Sequence, residues 1–243
     1  MMKFTYDAYR GLLSLLRENG YAVSNYDNWR QFPRCAILRH DIDTSLTDAV
    51  KLGELEAAEG VHSTFFVLLR TDFYNPASSK SLRSIRRLRE MGHDIGLHFD
   101  EVAYADCPLG GGIIEKIVRE AETLSMILGF PVKSVSMHRP SRQTLDADYD
   151  IPGLVNSYGT QFFREFKYLS DSRRHWREPV EDIIRSRQYD RLHILTHAFW
   201  YREREEDITE TVGKFIRSAN RERYYSMSEN LTDLPSVLKE SEV

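Results

Sequence analysis

Four stretches of the chain carry imidazole or carboxylate at or near their C-terminal edge. They are Arg39-His40-Asp41-Ile42-Asp43, Gly92-His93-Asp94-Ile95-Gly96-Leu97-His98, Met137-His138-Arg139-Pro140 and Ile194-Leu195-Thr196-His197. In each, a short β-like run leads to the polar group at its C-terminal edge. Asp41 and Asp43 stand two apart, so on an extended chain both side chains point to one side. Paired carboxylates repel, and a buried pair needs a cation or a proton. A divalent ion on one leaves the other to act as a base. The plainer alternative is that Asp41-Ile42-Asp43 caps a helix starting near Ser45, although Thr44 or Ser45 serves equally well. A lone strand-end histidine is usually just a satisfied polar residue. His98, His138 and His197 at equivalent ends of separate strands read jointly as a donor set. Imidazole nitrogens with one carboxylate suit zinc or a similar late first-row ion, with cobalt, nickel, iron or manganese as alternatives. The chemistry expected is metal-assisted hydrolysis.

Other residues add to this set. Arg139 follows His138, and its guanidinium suits pairing with a carboxylate such as Asp41. Asp171, in Leu169-Ser170-Asp171-Ser172, can accept a hydrogen bond from a histidine ring and raise its pKa; otherwise it is a turn aspartate. Trp176, Phe199 and Trp200 are candidates for the wall of a sugar pocket, or else core. His93 precedes its strand and suits a bond to backbone. Lys80, Arg83, Arg86, Arg87 and Arg89 share one helix and read as a solvated face, the sharper alternative being contact with a phosphate-bearing substrate.

The elements that must position these groups alternate. Helices are expected over residues 6–19, 46–59, 82–91, 113–128 and 208–219, from apolar spacing and from Gly20, Gly60, Gly92 and Gly129 at their ends. Strands are expected over 34–39, 62–69, 94–99, 132–137, 167–169 and 192–196. Residues 141–161 read as loop. Strand–helix alternation with short connections implies a parallel sheet with helices outside, and such folds carry polar sites at the C-terminal strand ends.

Composition bounds the rest. The chain has 243 residues, 41% hydrophobic and 29% charged, with a formal net charge of -4, which suits one α/β domain and argues against nucleic-acid binding. Cys35 and Cys107 give neither a disulfide framework nor zinc-finger spacing. No linker, repeat or low-complexity segment divides the chain. The N-terminal residues lack a basic region followed by an apolar one, and no apolar stretch spans a bilayer, so a cytoplasmic protein without membrane insertion is expected. Oligomeric state is not legible.

The ordered motifs resemble the polysaccharide deacetylase superfamily, the carbohydrate esterases with the nodulation-factor deacetylase homology domain. The resemblance runs from about Arg34 to Trp200. It is nearest to cytosolic-type members of surface-glycan gene clusters. His40-Asp41-Ile42-Asp43 resembles the first motif, which implies Asp41 as base and Asp43 as metal ligand. Ser63-Thr64-Phe65-Phe66-Val67 resembles the strand that follows. His98 then falls on a metal ligand, Arg139 on the arginine that holds the catalytic Asp, Asp171 on the Asp that tunes the catalytic His, and His197 on the general acid. One departure matters. Where the second motif usually carries another ligand histidine, this chain has Val102. His138 from the neighbouring strand end is the expected replacement, with Asp100 in reserve.

What the resemblance implies is one domain over residues 1–243: an N-terminal helix 6–19, a barrel 34–200 and a C-terminal helix and tail 203–243. The expected fold is a distorted (β/α) barrel of about seven parallel strands with outer helices. The expected activity is removal of an N-acyl group from a sugar or glycan precursor. Hydrolysis of a non-sugar C–N bond on the same barrel is one alternative. An inactive relative that binds a glycan or a partner is the other.

Overall fold

One central strand, Cys35–Ile42, sets the frame for everything that follows. A computed structural model describes residues 2–104 and 111–243, and Cys107 lies outside the described residues. Helix α1 (Tyr6–Glu18) leads, its first turn capped by the Thr5 hydroxyl, which accepts from the Ala8 N–H. Then come β1 (Ala22–Ser24), β2 (Cys35–Ile42), α2 (Leu46–Ala58), β3 (Thr64–Leu68), α3 (Ser79–Glu90), β4 (Asp94–Asp100), α4 (Ile113–Leu128), β5 (Ser134–His138), α5 (Arg142–Asp146), β6 (Val155–Asn156), β7 (Lys167–Ser170), α6 (Val180–Ser186) and β8 (Arg191–Thr196). The sheet runs β6-β5-β4-β3-β2-β8-β7, with β1 beside β2 off that path. Every pairing is parallel. Seven parallel strands thus curl into a distorted (β/α) half-barrel with helices outside. Its two margins approach each other, since the rings of Tyr158, just past β6, and Tyr168 in β7 lie 6.3 Å apart.

All eight residues of β2 are buried, and their alternation assigns them to two layers. Ala36, Leu38 and Ile42 join the large core beneath the helices. Cys35 and Ile37 join a second cluster with Tyr26, Trp29, Phe66, Phe162 and Phe166, which fills the barrel interior. Arg39 and Asp41 continue this inner row upward by the same alternation. Gly96 on β4 lets Phe66 pack inside: a Cβ there would stand 2.5 Å from Phe66 Cδ1 and 2.7 Å from Ser134 Oγ.

On the helix side, a buried polar knot lies behind the strand ends. Glu56 Oε1 accepts from Tyr9 Oη at 2.6 Å and pairs with His40 Nε2 at 3.0 Å, while Oε2 accepts from Ser63 Oγ at 2.6 Å. His40 Nδ1 meets Thr196 Oγ1 at 2.6 Å. The knot ties α1, α2, β2, β3 and β8 together without leaving these groups unsatisfied. His93 has the structural role that its place before a strand suggested, with Nε2 2.9 Å from the Gly53 carbonyl.

Several elements differ from the sequence reading. β2 runs on through Ile42, so Asp41 lies inside the strand, and β5 ends on His138 itself. α3 starts at Ser79 because the Ser78 hydroxyl accepts from the Ser81 N–H. The segment 141–161 holds α5 and the two-residue β6. β1 and β6 are too short for periodicity to reveal; pairing with β2 and β5 makes them strands.

The described residues fall into two compact units, one running up to Glu203 and the other Arg204–Val243. The second contains α7 (Ile208–Ser228), capped by Asp207, whose carboxylate accepts from the Glu210 N–H, and α8 (Leu234–Val237). α7 continues nine residues beyond the expected Ala219, through a stretch with no clear apolar stripe.

Candidate metal centre and active site

Parallel strands present their C-terminal ends on one edge, and the chemistry-bearing residues gather there. Asp41 lies in β2 and Asp43 one residue past it. His98 lies in β4, and His138 closes β5. Asp171 and His197 follow β7 and β8. The helix after β2 takes its cap from Ser45, whose hydroxyl accepts from the Asp48 N–H at 3.1 Å. Neither aspartate is needed as a cap.

Asp43, His98 and His138 converge. Asp43 Oδ1 stands 3.2 Å from His98 Nε2 and 3.3 Å from His138 Nδ1. The two ring nitrogens are 3.1 Å apart. Donors on a tetrahedral ion about 2.0–2.1 Å away would be separated by about 3.3–3.4 Å. The spacing therefore matches one face of such a tetrahedron. Asp43 Oδ1 is buried with no hydrogen bond of its own, and His98 Nδ1 is buried without a partner. A cation would satisfy the carboxylate oxygen that the surrounding groups leave unpaired. Burial by itself pushes the Asp43 carboxyl up; the close His138 and His98 nitrogens, with the charges of His98 and His197, outweigh it and hold the carboxyl far below its usual range. These three residues are a group that could hold a metal ion.

Asp41 lies just below this set, with Oδ2 3.7 Å from His98 Nε2. Ser136 Oγ lies 3.3 Å from each of its carboxylate oxygens. On the other flank, Asp171 Oδ1 bonds His197 Nδ1 at 2.7 Å, and both its oxygens accept from the His197 N–H at 3.1 Å. Tyr201 Oη adds a donor to Oδ2 at 3.3 Å. His197 Nε2 faces Asp43 Oδ2 at 3.7 Å. Burial lowers the His197 pKa, but Asp171, then Asp43 and Asp41, outweigh it and raise it to about 9.

This coupling has a measurable consequence. A histidine pKa raised from 6.5 to about 9 stabilises the fold fully below pH 6.5, and that contribution fades as pH rises through about 9. Asp171→Asn should therefore cost most stability below pH 6.5, and the pH-dependent part of the deficit should close above pH 9. If His197 delivers a proton in turnover, the alkaline limb of kcat should move to lower pH in the same variant. Thermal melts and rate profiles across pH 5–10 measure both. A deficit independent of pH would refute the coupling.

Two expectations are corrected. Arg139 does not hold Asp41. Its guanidinium, 60% exposed, pairs with Asp100 on the neighbouring strand, where Asp100 and His138 are register partners. The guanidinium on Asp41 belongs to Arg39, whose Nη2 donates to Oδ2 at 3.1 Å inside the barrel. Arg39 and Asp41 share a strand face at spacing two, and that alternation was the available signal. Nor does Trp176 line a pocket: at 2% exposure it is a core side chain, packed into the large apolar cluster. Trp200 is half-buried and keeps some surface. Asp100 is occupied twice, by Arg139 and by the Val102 N–H, so His138 and not Asp100 joins the set. On α3, Arg87 pairs with Glu54 and Arg89 with Asp94, as on a solvated face.

No family model and no curated protein matches the chain. Solved structures do. A family 4 carbohydrate esterase from Bacillus anthracis is similar at 18% identity over 86% of this chain and 85% of that one, with a TM-score of 0.44. A CE4 esterase of Streptococcus mutans is similar at 15% identity over 86% and 90%, TM-score 0.46. The chitin deacetylase of the fungal pathogen Colletotrichum lindemuthianum is similar at 19% identity over 75% and 81%, TM-score 0.42. Among the described residues, no helix is long and apolar enough to cross a membrane.

Proposed function

We propose that the protein is a metal-dependent hydrolase that removes an N-acyl group, acetyl in the first instance, from a sugar or a glycan precursor met in the cytoplasm. The observation that carries this reading is the convergence of Asp43, His98 and His138 within 3.1–3.3 Å of one another, beside the Asp41 carboxylate and a carboxylate-backed imidazole. The motif order set out above adds the acyl-sugar substrate.

In this reading Asp43 Oδ1, His98 Nε2 and His138 Nδ1 would hold the ion, with zinc first among the candidates. A divalent ion bound there supplies a Lewis acid for the acyl oxygen and acidifies water. Asp41 takes a proton from the attacking water as the new C–O bond forms at the acyl carbon. The C–N bond then breaks, and His197 gives its proton to the departing nitrogen. Asp171 accepts the Nδ1 proton of His197, which turns Nε2 towards the site, and it favours the charged ring, which carries the second proton on Nε2 until it is used. The products are a carboxylate and a free amine. Trp200 is proposed as a wall of the sugar pocket.

The inactive alternative rested on Val102, and the His138 donor in the set weighs against it. The test is direct. Purified protein loaded with zinc or cobalt is offered N-acetylated sugars, sugar nucleotides and oligosaccharides, and acetate, formate and ammonia release are measured together. Acetate release that stops on chelation and returns with metal is expected. Ammonia or formate in its place would move the reading to a non-sugar C–N bond. No bound metal at all would end it.

A further inference from the structure

Arg39 is wholly buried at the centre of the barrel, where an unpaired guanidinium would be costly. Two side chains take its protons: Nη2 donates to Asp41 Oδ2 at 3.1 Å, and Nη1 to Ser157 Oγ at 2.6 Å. Three rings surround its charge, with centroids 4.6 Å away at Tyr158, 5.6 Å at Phe66 and 5.9 Å at Tyr168. Ser157 and Tyr158 follow β6, and Tyr168 belongs to β7, so the two margins of the sheet meet on this one side chain. Planar, five-donor arginine suits such a fixed position better than lysine.

Asp41 needs a restraint of this kind. Its Oδ2 is only 3.7 Å from His98 Nε2. A cation at Asp43, His98 and His138 would attract this second carboxylate, and a small rotation would bring it into the donor set. It would then be consumed as a ligand.

We infer that Arg39 is the positioning residue for Asp41, anchored by Ser157 and the Tyr158–Phe66–Tyr168 cage, and that the barrel-closing segment 157–168 thereby governs a side chain on β2, inside the sheet. This rests on the reading of Asp41 as the base. Arg39 withholds Asp41 from the ion and keeps it free for water.

Arg39→Met tests it in two independent ways. In crystals soaked with zinc, the Asp41 carboxylate should leave its place and move towards the ion, while Asp43, His98 and His138 stay as they are. Zinc should be held at least as tightly as in the wild type, because a further carboxylate joins it. kcat should fall on the order of 10²-fold, with KM little changed, as for a group misplaced by about an ångström. Arg39→Lys should recover part of that loss. Asp41 unmoved in the soaked crystals would overturn the inference, whatever the rate. If Arg39→Met does not fold, Ser157→Ala decides by the same comparison, since it removes one anchor and keeps the charge pair; a smaller Asp41 displacement and roughly a several-fold loss in kcat are expected. Should the wild type release no acyl group from any sugar, the functional reading fails, and the Asp41 displacement still decides the positioning.

Discussion

His138→Ala should leave a folded protein that no longer retains a divalent ion. Three donor atoms face one point, and removing the His138 ring leaves only Asp43 and His98, 3.2 Å apart. Loss of an outer partner of a ligand costs about 10–100-fold in metal affinity, so loss of a ligand should cost on the order of 10²-fold or more. The fold should be spared. His138 terminates its strand and is 18% exposed, so its truncation opens no cavity in the core. The melting temperature of metal-free protein should change little, and the stabilisation that added zinc gives the wild type should disappear. Metal content after dialysis and cobalt absorbance report the outcome. Asp100→Ala is the paired control, since Asp100 is engaged by Arg139 and the Val102 N–H, and it should keep full stoichiometry. Undiminished metal in His138→Ala with loss in Asp100→Ala would reverse the assignment.

The second large effect belongs to Asp41→Asn. The change is isosteric and keeps a hydrogen-bonding group beside Ser136, but an amide cannot take a proton from water. General-base assistance contributes about 10²–10⁴-fold, so kcat should fall by that order while metal stoichiometry is kept. A structural penalty should accompany it, because Arg39 would lose the one carboxylate that pairs with it among the described residues. Breaking a buried ion pair on one side costs about 3–5 kcal/mol. The melting temperature should therefore drop, and rates must be compared well below it. Turnover that survives in a folded, metal-loaded Asp41→Asn protein would remove Asp41 from the base role.

Much of the frame could be read from residue types alone. β2, β3, β4, β5 and β8 announce themselves as apolar runs, and polar residues at the end of each run are what a parallel sheet brings to one edge. That is why Asp43, His98 and His138 could be grouped although they are far apart in sequence. The gap at Val102 pointed to a neighbouring strand end, and the register that pairs Asp100 with His138 brings that end alongside. Side-chain pairing across strands was harder. Arg139 was matched to Asp41 by motif order, whereas alternation along β2 already put Arg39 on the same face. The cage around Arg39 could not be seen, because Ser157 and Tyr158 follow a strand, β6, only two residues long, and nothing local shows that β7, which carries Tyr168, comes back beside it. Trp176 has the composition of a pocket wall; burial is decided by how the turn after β7 packs, which local sequence does not encode.

The three donors share one property that shapes how such an ion would come and go. Each sits in, or one residue beyond, a strand laddered into the same sheet, and none lies on a surface loop that can swing away. A cage with all its corners in one sheet cannot give up its contacts one at a time by loop fluctuation. Release would wait on fraying of the strand ends themselves, so residence of the ion becomes tied to the breathing of the barrel, and slow amide exchange along β4 and β5 would go with slow exchange of the metal.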